Sequence, residues 1–293
     1  MKIQVFVGSG NASRIERGVL EYSLSRHCSQ PYELHVYNGT LGDVESRGVE
    51  SSNHAVWQSQ TLAAVRGHKF ATEFSLFRYV IPELCGFQGR AIYLDSDMIC
   101  LGDLAELADW PLPDGAWFAA VPNAYPEIRP DRWALSVMVI DCARCRFALP
   151  AIFSEIERRE FTYTEFSQMA PRFLAKHPIP IAKLSPAWNA FDSHNPETRL
   201  IHYTDLDRQP WKFKYHPAGD LWHRYFEEAL TAGILTGEHV DRAIAQRHVR
   251  PDLRLGPNGR NGWIETLGAP VHQQRLLIRN MVRWLAYRSG RAR

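Results

Sequence analysis

Apolar and polar positions alternate along residues 2–7, Lys-Ile-Gln-Val-Phe-Val, and three of the six are β-branched. That pattern predicts a strand, which Gly8-Ser9-Gly10-Asn11 brings to an end. Ser13-Arg14-Ile15-Glu16 then matches the S-x-x-E capping pattern, and Ile15, Val19, Leu20, Ser23 and Leu24 recur at the spacing of one buried helix face running to about His27. Residues 32–37 read as a second strand. Strand, tight loop, helix and strand in so short a span form a βαβ unit, which implies a parallel sheet and the α/β class.

Further along, residues 72–84 have the spacing of a helix packed through Phe74, Phe77 and Ile81, with Pro82 near its end. Residues 91–94 are wholly apolar, as in a strand buried on both faces, and Asp95-Ser96-Asp97 follows at once. Residues 116–121, 133–140 and 199–203 predict three more strands. Residues 221–247 and 271–288 predict helices. The stretch 256–269 holds five glycines and prolines and reads as a linker. The expected division is therefore a domain over 1–255 and a linker with a basic tail helix over 256–293.

Composition narrows the class without adding chemistry. The 293 residues are 45% hydrophobic and 23% charged, which suits a globular chain of one large or two small domains and excludes collagen, coiled coil and disorder. No apolar run reaches the roughly 18 residues that would span a bilayer, and the opening segment turns to glycine before an export signal forms, so the expected location is cytoplasmic. The five cysteines are odd in number and scattered, and Cys142-Ala-Arg-Cys145 has no second pair to complete a zinc site. They read as reduced structural thiols.

Chemistry begins at Asp95-Ser96-Asp97. Side chains at i and i+2 of an extended segment project to the same side, so both carboxylates can meet one cation at the carboxyl end of a central strand. Hard oxygen ligands suit Mg2+ or Mn2+ rather than zinc. A D-x-D pattern also arises by chance, and Asp205-Leu206-Asp207 is a second example, placed in a polar stretch that reads as a loop. His202 ends the strand over 199–203, and an imidazole added to two carboxylates tilts the preference to Mn2+. Arg208, Trp211, Lys212 and Lys214 follow in a loop suited to phosphate charge.

Taken together, five motifs in order resemble glycosyltransferase family 8. They are the run over 72–84, then Ala91-Ile92-Tyr93-Leu94-Asp95-Ser96-Asp97 with Gly102-Asp103-Leu104, Val137-Met138-Val139-Ile140-Asp141, Pro186-Ala187-Trp188-Asn189, and Ile201-His202-Tyr203-Thr204 with Pro210-Trp211. The resemblance covers about residues 2–215. It implies a single GT-A domain with a mixed, mainly parallel sheet. The implied reaction moves a hexose from a UDP-sugar to an acceptor hydroxyl, with retention at the anomeric carbon and a divalent cation as cofactor. Carried over by position, Asp95, Asp97 and His202 are the metal ligands, and Arg78 is the helix arginine that reaches the sugar nucleotide. Phe6, Val7 and Gly8 line the uracil pocket, while Ser96, Arg208, Trp211 and Lys212 complete the donor site.

Three departures stand out. Ala134-Leu135-Ser136 replaces the family's Asn-Ser-Gly, which removes an expected polar contact. The stretch from His202 to Trp211 is one residue longer than the family pattern, so either Arg208 or Lys212 takes the part of the phosphate-binding lysine. Tyr163-Thr164-Glu165-Phe166-Ser167-Gln168 occupies the region of the family's acidic donor-acceptor segment. Other classes compatible with the chain are a sugar-nucleotide-binding protein without turnover and a metal-dependent nucleotidyltransferase. The Gly8-Ser9-Gly10 loop resembles a dinucleotide fingerprint only weakly: its third glycine is absent, and Tyr37-Asn38 stands where an acid is required.

Charge separates body from tail. Residues 242–293 carry eleven arginines against Asp252 and Glu265, a balance of +9, while the chain as a whole carries +2, so the first 241 residues carry −7. In residues 271–293 the arginines at 275, 279 and 283 recur every fourth position and Ile278, Met281, Val282 and Leu285 fall elsewhere. This is the pattern of a helix lying in an anionic headgroup layer, with Trp284 and Tyr287 at the interface, and it suits a peripheral enzyme acting on a glycan or lipid-linked sugar. Nucleic acid is not an expected partner of so acidic a body. Removal of residues 271–293 is expected to abolish co-sedimentation with anionic vesicles at low salt, whereas unchanged co-sedimentation would refute the tail's role.

Overall fold

The computed structural model describes residues 2–38, 43–47, 75–113, 115–122, 131–214 and 216–255. The opening βαβ unit forms as its pattern predicts. Strand β1 (Ile3–Ser9) leads into α1 (Arg14–Arg26), and β2 (Tyr32–Asn38) returns parallel to β1 with Ile3 opposite Tyr32 and Ser9 opposite Asn38. Ile15, Val19, Leu20, Ser23 and Leu24 are all buried. The expected capping box is not what starts the helix. Ser13 occupies the N-cap without a capping bond, and the chain enters α1 through a 3-10 turn over Asn11–Ser13, where the Ser13 N–H donates to the Gly10 carbonyl at 3.0 Å.

Strand β3 (Asp43–Arg47) runs antiparallel at the sheet edge, and β4 (Arg90–Asp95) lies parallel to β1 on its other side. Beyond β4 the chain forms β5 (Met98–Cys100), β6 (Phe118–Pro122), β7 (Trp133–Asp141) and β8 (Ile181–Lys183). The main sheet has the order β3-β2-β1-β4-β7-β6-β8, and only β3 and β7 run against the other five strands. It is a mixed, mainly parallel sheet.

Along β1, β4 and β7 successive residues feed opposite faces. Phe6, Tyr93 and Met138 join one buried cluster, whereas Val5, Val7, Ile92, Leu94, Val137 and Val139 join the other. Layers on both faces explain why these strands are apolar without alternation. Short helices α2 (Ile81–Leu84), α3 (Leu104–Ala108), α4 (Leu149–Glu157), α5 (Tyr163–Ser167) and α6 (Pro171–Lys176) supply part of that cover.

Two helical expectations change. The segment over 72–84 is described from Ser75 onward, and there it is a 3-10 turn at Phe77–Tyr79 followed by α2, with Phe77 and Ile81 buried as the spacing requires. The single helix expected over 221–247 is two, α7 (Gly219–Thr231) and α8 (Gly237–Ala245). Gly233 turns the chain at φ +74°, and Thr236 then caps α8 by accepting from the His239 N–H. The linker over 256–269, the helix over 271–288 and the boundary at 255 lie at or beyond the end of the described residues. Among those described, no helix is long and apolar enough to cross a membrane, and all five cysteines are free.

Glu16 faces inward from the first turn of α1 and is 7% exposed, with Oε2 lacking a hydrogen-bond partner. Burial pushes its pKa up to about 7, against the smaller opposing pull of its backbone contact and Lys212. An acid raised in this way favours the native state below the unfolded value of 4.5 and loses that contribution as pH rises through 7. The stability of Glu16→Gln relative to wild type should therefore increase by about 2–3 kcal/mol between pH 5 and pH 8, read by urea denaturation. A pH-independent difference would show that the carboxyl ionises normally.

Candidate active site

Asp95 is the last residue of β4 and pairs in register with Gly8 of β1, at the carboxyl ends of the parallel strands. The chain then bends at Ser96-Asp97 and leaves the main sheet as β5. The acids therefore converge across a bend rather than along one extended strand. Strand β5 belongs to a second, three-stranded sheet with β9 (Ala190–Phe191) and β10 (Leu200–His202), in which β10 runs antiparallel to β5 with His202 opposite Met98. The Tyr203 N–H donates to the Asp97 carbonyl at 3.0 Å, extending this pairing to Asp97 itself. Gly102 permits the close approach: a Cβ there would stand 2.6 Å from Cδ and 3.0 Å from Cβ of Arg199, just before β10.

As a result Asp95, Asp97 and His202 each offer one ligand atom within 4.8 Å of the others. His202 Nε2 is 3.1 Å from Asp97 Oδ1. Adjacent ligands on an octahedral ion with bonds of roughly 2.1 Å stand about 3.0 Å apart and opposite ones about 4.2 Å, so the donor set fits one small divalent cation after slight closure. Two carboxylates and one imidazole leave half of six positions for other oxygens.

Each acid has protein partners. Asp95 Oδ1 accepts from Tyr93 Oη at 2.6 Å and from Arg78 Nη2 at 3.1 Å. Arg78 also donates from Nη1 to the Leu135 carbonyl (2.6 Å) and from Nε to the Ser75 carbonyl (3.2 Å), and its guanidinium lies 4.6 Å over the Tyr93 ring. Burial pushes the Asp95 pKa up, with Asp97 adding to the rise, while Arg78 and His202 pull it back. At His202 burial works against the charged ring, yet Asp97 facing Nε2, followed by Asp95 and Asp192, outweighs it and holds the pKa above the ordinary histidine value.

The loop after His202 meets the acids through Gln209. Gln209, just ahead of Pro210-Trp211, donates from Nε2 to Asp97 Oδ2 (3.2 Å) and to the Tyr203 carbonyl (2.9 Å), and its Oε1 accepts from Lys212 Nζ at 2.8 Å. Arg208 instead bonds Asp205 at 2.6 Å. Trp211 is 1% exposed and packs on Tyr203 and Trp222, so its ring supports the loop from beneath rather than forming an open face for sugar or base. Phe6 and Val7 have buried side chains on opposite faces of the sheet, Phe6 stacked on His35, so a nucleoside pocket there would be built on their backbone; Ser96 is buried between the two acids.

Sequence reasoning passed over Tyr93, Ser136, Asn189, Gln209 and Asp192. Asn189 lies inside the Pro186–Asn189 motif and Gln209 in the loop that is one residue longer than the family pattern, which are the available signals. Asp192, held at φ +54° after β9, accepts from Thr204 Oγ1 (2.5 Å) and the Asp205 N–H (3.3 Å), with His216 Nε2 3.5 Å away. No short-range pattern links residues 192, 204 and 216. The replaced segment 134–136 is also less empty than expected, since Leu135 supplies a carbonyl to Arg78 and Ser136 a hydroxyl to Asn189.

Comparison with known proteins finds a family likeness over part of the chain. Residues 43–163 match the family model of glycosyl transferase family 8. Over that stretch the chain is similar to family 8 glycosyltransferases. Protein CDI of Arabidopsis thaliana is 24% identical over 250 residues, covering 77% of this chain and 86% of the plant protein. Among solved structures, the galactosyltransferase LgtC in complex with donor and acceptor sugar analogues matches with a TM-score of 0.57 at 13% identity, over 82% of this chain and 100% of that one. The apo bifunctional glycosyltransferase WbbM matches with 0.54 at 16% identity over 80% of this chain, which spans only 51% of WbbM. GlyE of Streptococcus pneumoniae TIGR4 matches with 0.52 at 18% identity, over 79% and 63%. The chain thus has the GT-A fold expected from its motifs.

Removing the guanidinium in Arg78→Met leaves the partly buried Asp95 facing Tyr93 alone. The variant should lose about 2–3 kcal/mol of stability at pH 7 and less at pH 4, because the Asp95 pKa, already raised by burial, rises further without Arg78, as read in denaturant titrations at both values. An equal loss at both would mean that Arg78 contributes packing only.

Proposed function

We propose that the chain transfers a hexose from a UDP-sugar to an acceptor hydroxyl with retention, using a divalent cation, Mn2+ in preference to Mg2+, held by Asp95, Asp97 and His202. The observation that carries this reading is the convergence of those three donors at the carboxyl end of β4 in a chain similar to family 8 glycosyltransferases. A bound cation there would supply Lewis-acid stabilisation of the charge that grows on departing UDP.

The chain's own residues prepare that site. Arg78 and Tyr93 orient Asp95, and Gln209 orients Asp97 while tying it to Lys212. Lys212 is therefore our choice for the phosphate-binding cation, with Arg208, already paired to Asp205, in a lesser part. Gly8, beside Asp95, places the ends of β1 and β4 together, and the backbone of Phe6, Val7 and Gly8 forms the floor of the uracil site. Retention follows from front-side displacement: the acceptor oxygen bonds the anomeric carbon on the face that UDP leaves, and the hydroxyl proton passes to the departing phosphate. Trapping of a glycosyl-enzyme adduct by mass spectrometry would overturn that step.

The acceptor is a glycan or lipid-linked sugar, which the basic residues over 271–293 would help the enzyme meet at an anionic membrane surface, in synthesis of cell-surface glycans or lipopolysaccharide. Peripheral attachment at the cytoplasmic face fits this reading.

A panel of UDP-sugars with Mn2+ tests the proposal by UDP release. One hexose donor should be turned over, chelation should stop it, and Asp97→Ala should lower the rate at least about 100-fold, while Lys212→Ala costs about 10- to 100-fold and Arg208→Ala less. Metal-dependent UDP binding without release would indicate a non-catalytic binder, and pyrophosphate in place of UDP a nucleotidyltransferase.

A further inference from the structure

Three buried polar side chains form a line behind the acid pair. Ser136 of β7, Asn189 and His202 of β10 are 8%, 4% and 7% exposed, and each comes from a different part of the chain. Asn189 Nδ2 donates to Ser136 Oγ at 2.9 Å, and Asn189 Oδ1 lies 3.1 Å from His202 Nδ1. The far ring nitrogen, Nε2, faces Asp97. Phe191 meets the imidazole edge-on at 5.7 Å, which limits ring rotation on one side.

An amide has one accepting end and one donating end, and only its orientation decides which ring nitrogen keeps a proton. With Oδ1 toward His202, Nδ1 keeps its hydrogen and Nε2 is the nitrogen left to bind a cation. With the amide reversed, Nδ1 would accept and the proton would sit on Nε2, directed at the place where a cation belongs. Ser136 Oγ accepts from Nδ2 at the far end of the amide and steadies its plane; its hydroxyl can also donate, so it braces the side chain without itself selecting which end faces His202. Partners of this kind set both the tautomer and the direction of a ligating ring without touching the ion.

We propose that Asn189 is a positioning residue that acts through His202, its Oδ1 facing Nδ1 so that Nε2 is left for the divalent cation, and that Ser136 braces the Asn189 side chain from its other end. The inference rests on the cation site proposed above. It also gives Ser136 a role in this chain, at a position where the family pattern differs.

Mn2+ binding to the full chain tests this without any sugar donor, by electron paramagnetic resonance. Free ion is counted in a titration, and electron spin-echo modulation from imidazole nitrogen is recorded at saturating Mn2+. Asn189→Leu should weaken binding about 10- to 100-fold and lose the nitrogen modulation. Ser136→Ala should weaken it about 2- to 10-fold. Asn189→Asp, which can only accept from Nδ1, should retain the modulation. Asp97→Ala is the control for the site itself and should abolish tight binding. If Asp97→Ala binds as wild type, the cation site falls and the relay with it. If Asp97→Ala loses binding while Asn189→Leu keeps wild-type affinity and modulation, the relay alone is overturned. Should Asn189→Leu fail to unfold cooperatively without metal, the other two variants decide: wild-type affinity in Ser136→Ala together with lost modulation in Asn189→Asp overturns the relay.

Discussion

The pairing of β5 with β10 is the contact on which the site depends. It sets His202 opposite Met98, one residue beyond Asp97, and the Tyr203 N–H to Asp97 carbonyl bond carries the ladder one step further. Because side chains on a strand alternate between faces, a slip of one residue would turn His202 away and present Ile201 or Tyr203 instead. Both of these are fully buried in the cluster packed under α1 and α7, so such a slip would take them out of that cluster and set the imidazole among its apolar side chains. The hydrophobic layer thus enforces the register that brings the imidazole to the carboxylates.

Around that register the molecule balances charge rather than excluding it. Two acids on adjoining turns of chain would repel each other in a partly buried position. Arg78 and Tyr93 meet Asp95 from one side, and His202 and Gln209 meet Asp97 from the other. Arg78 is anchored in turn by two backbone carbonyls, and Gln209 connects Asp97 to Lys212. Each acid therefore sits against a preset donor, so that a phosphate-bearing ligand would meet an arrangement already built.

The C-terminal part of the described chain supports the same loop from behind. The Arg250 N–H donates to the Trp211 carbonyl at 2.8 Å and its guanidinium Nε to the Pro210 carbonyl at 3.2 Å, while Nη1 pairs with Asp252 at 2.6 Å. Trp211 itself packs edge-on against Tyr203 and tilted against Trp222 within that cluster. Trp211, carried over to the donor site by position, has its ring buried beneath the loop.

Sequence alone determined the elements whose causes are local. The alternation in β1, the helix face from Ile15 to Leu24, the apolar run that ends at Asp95 and the strand that ends at His202 are each written in residues a few positions apart. The ordered motifs also pointed to the family. Only the tertiary structure decided how distant pieces meet: that Asp95 and Asp97 converge across a bend between two sheets, that Gln209 rather than Arg208 reaches the acid pair, that α7 and α8 are separate helices, and that Ser136 and Asn189 stand behind His202. The reason is physical. Periodicity reports which face of an element is buried, whereas a hydrogen bond between residues 136 and 189, or 97 and 209, arises only after packing has chosen a register, and no local pattern carries that choice.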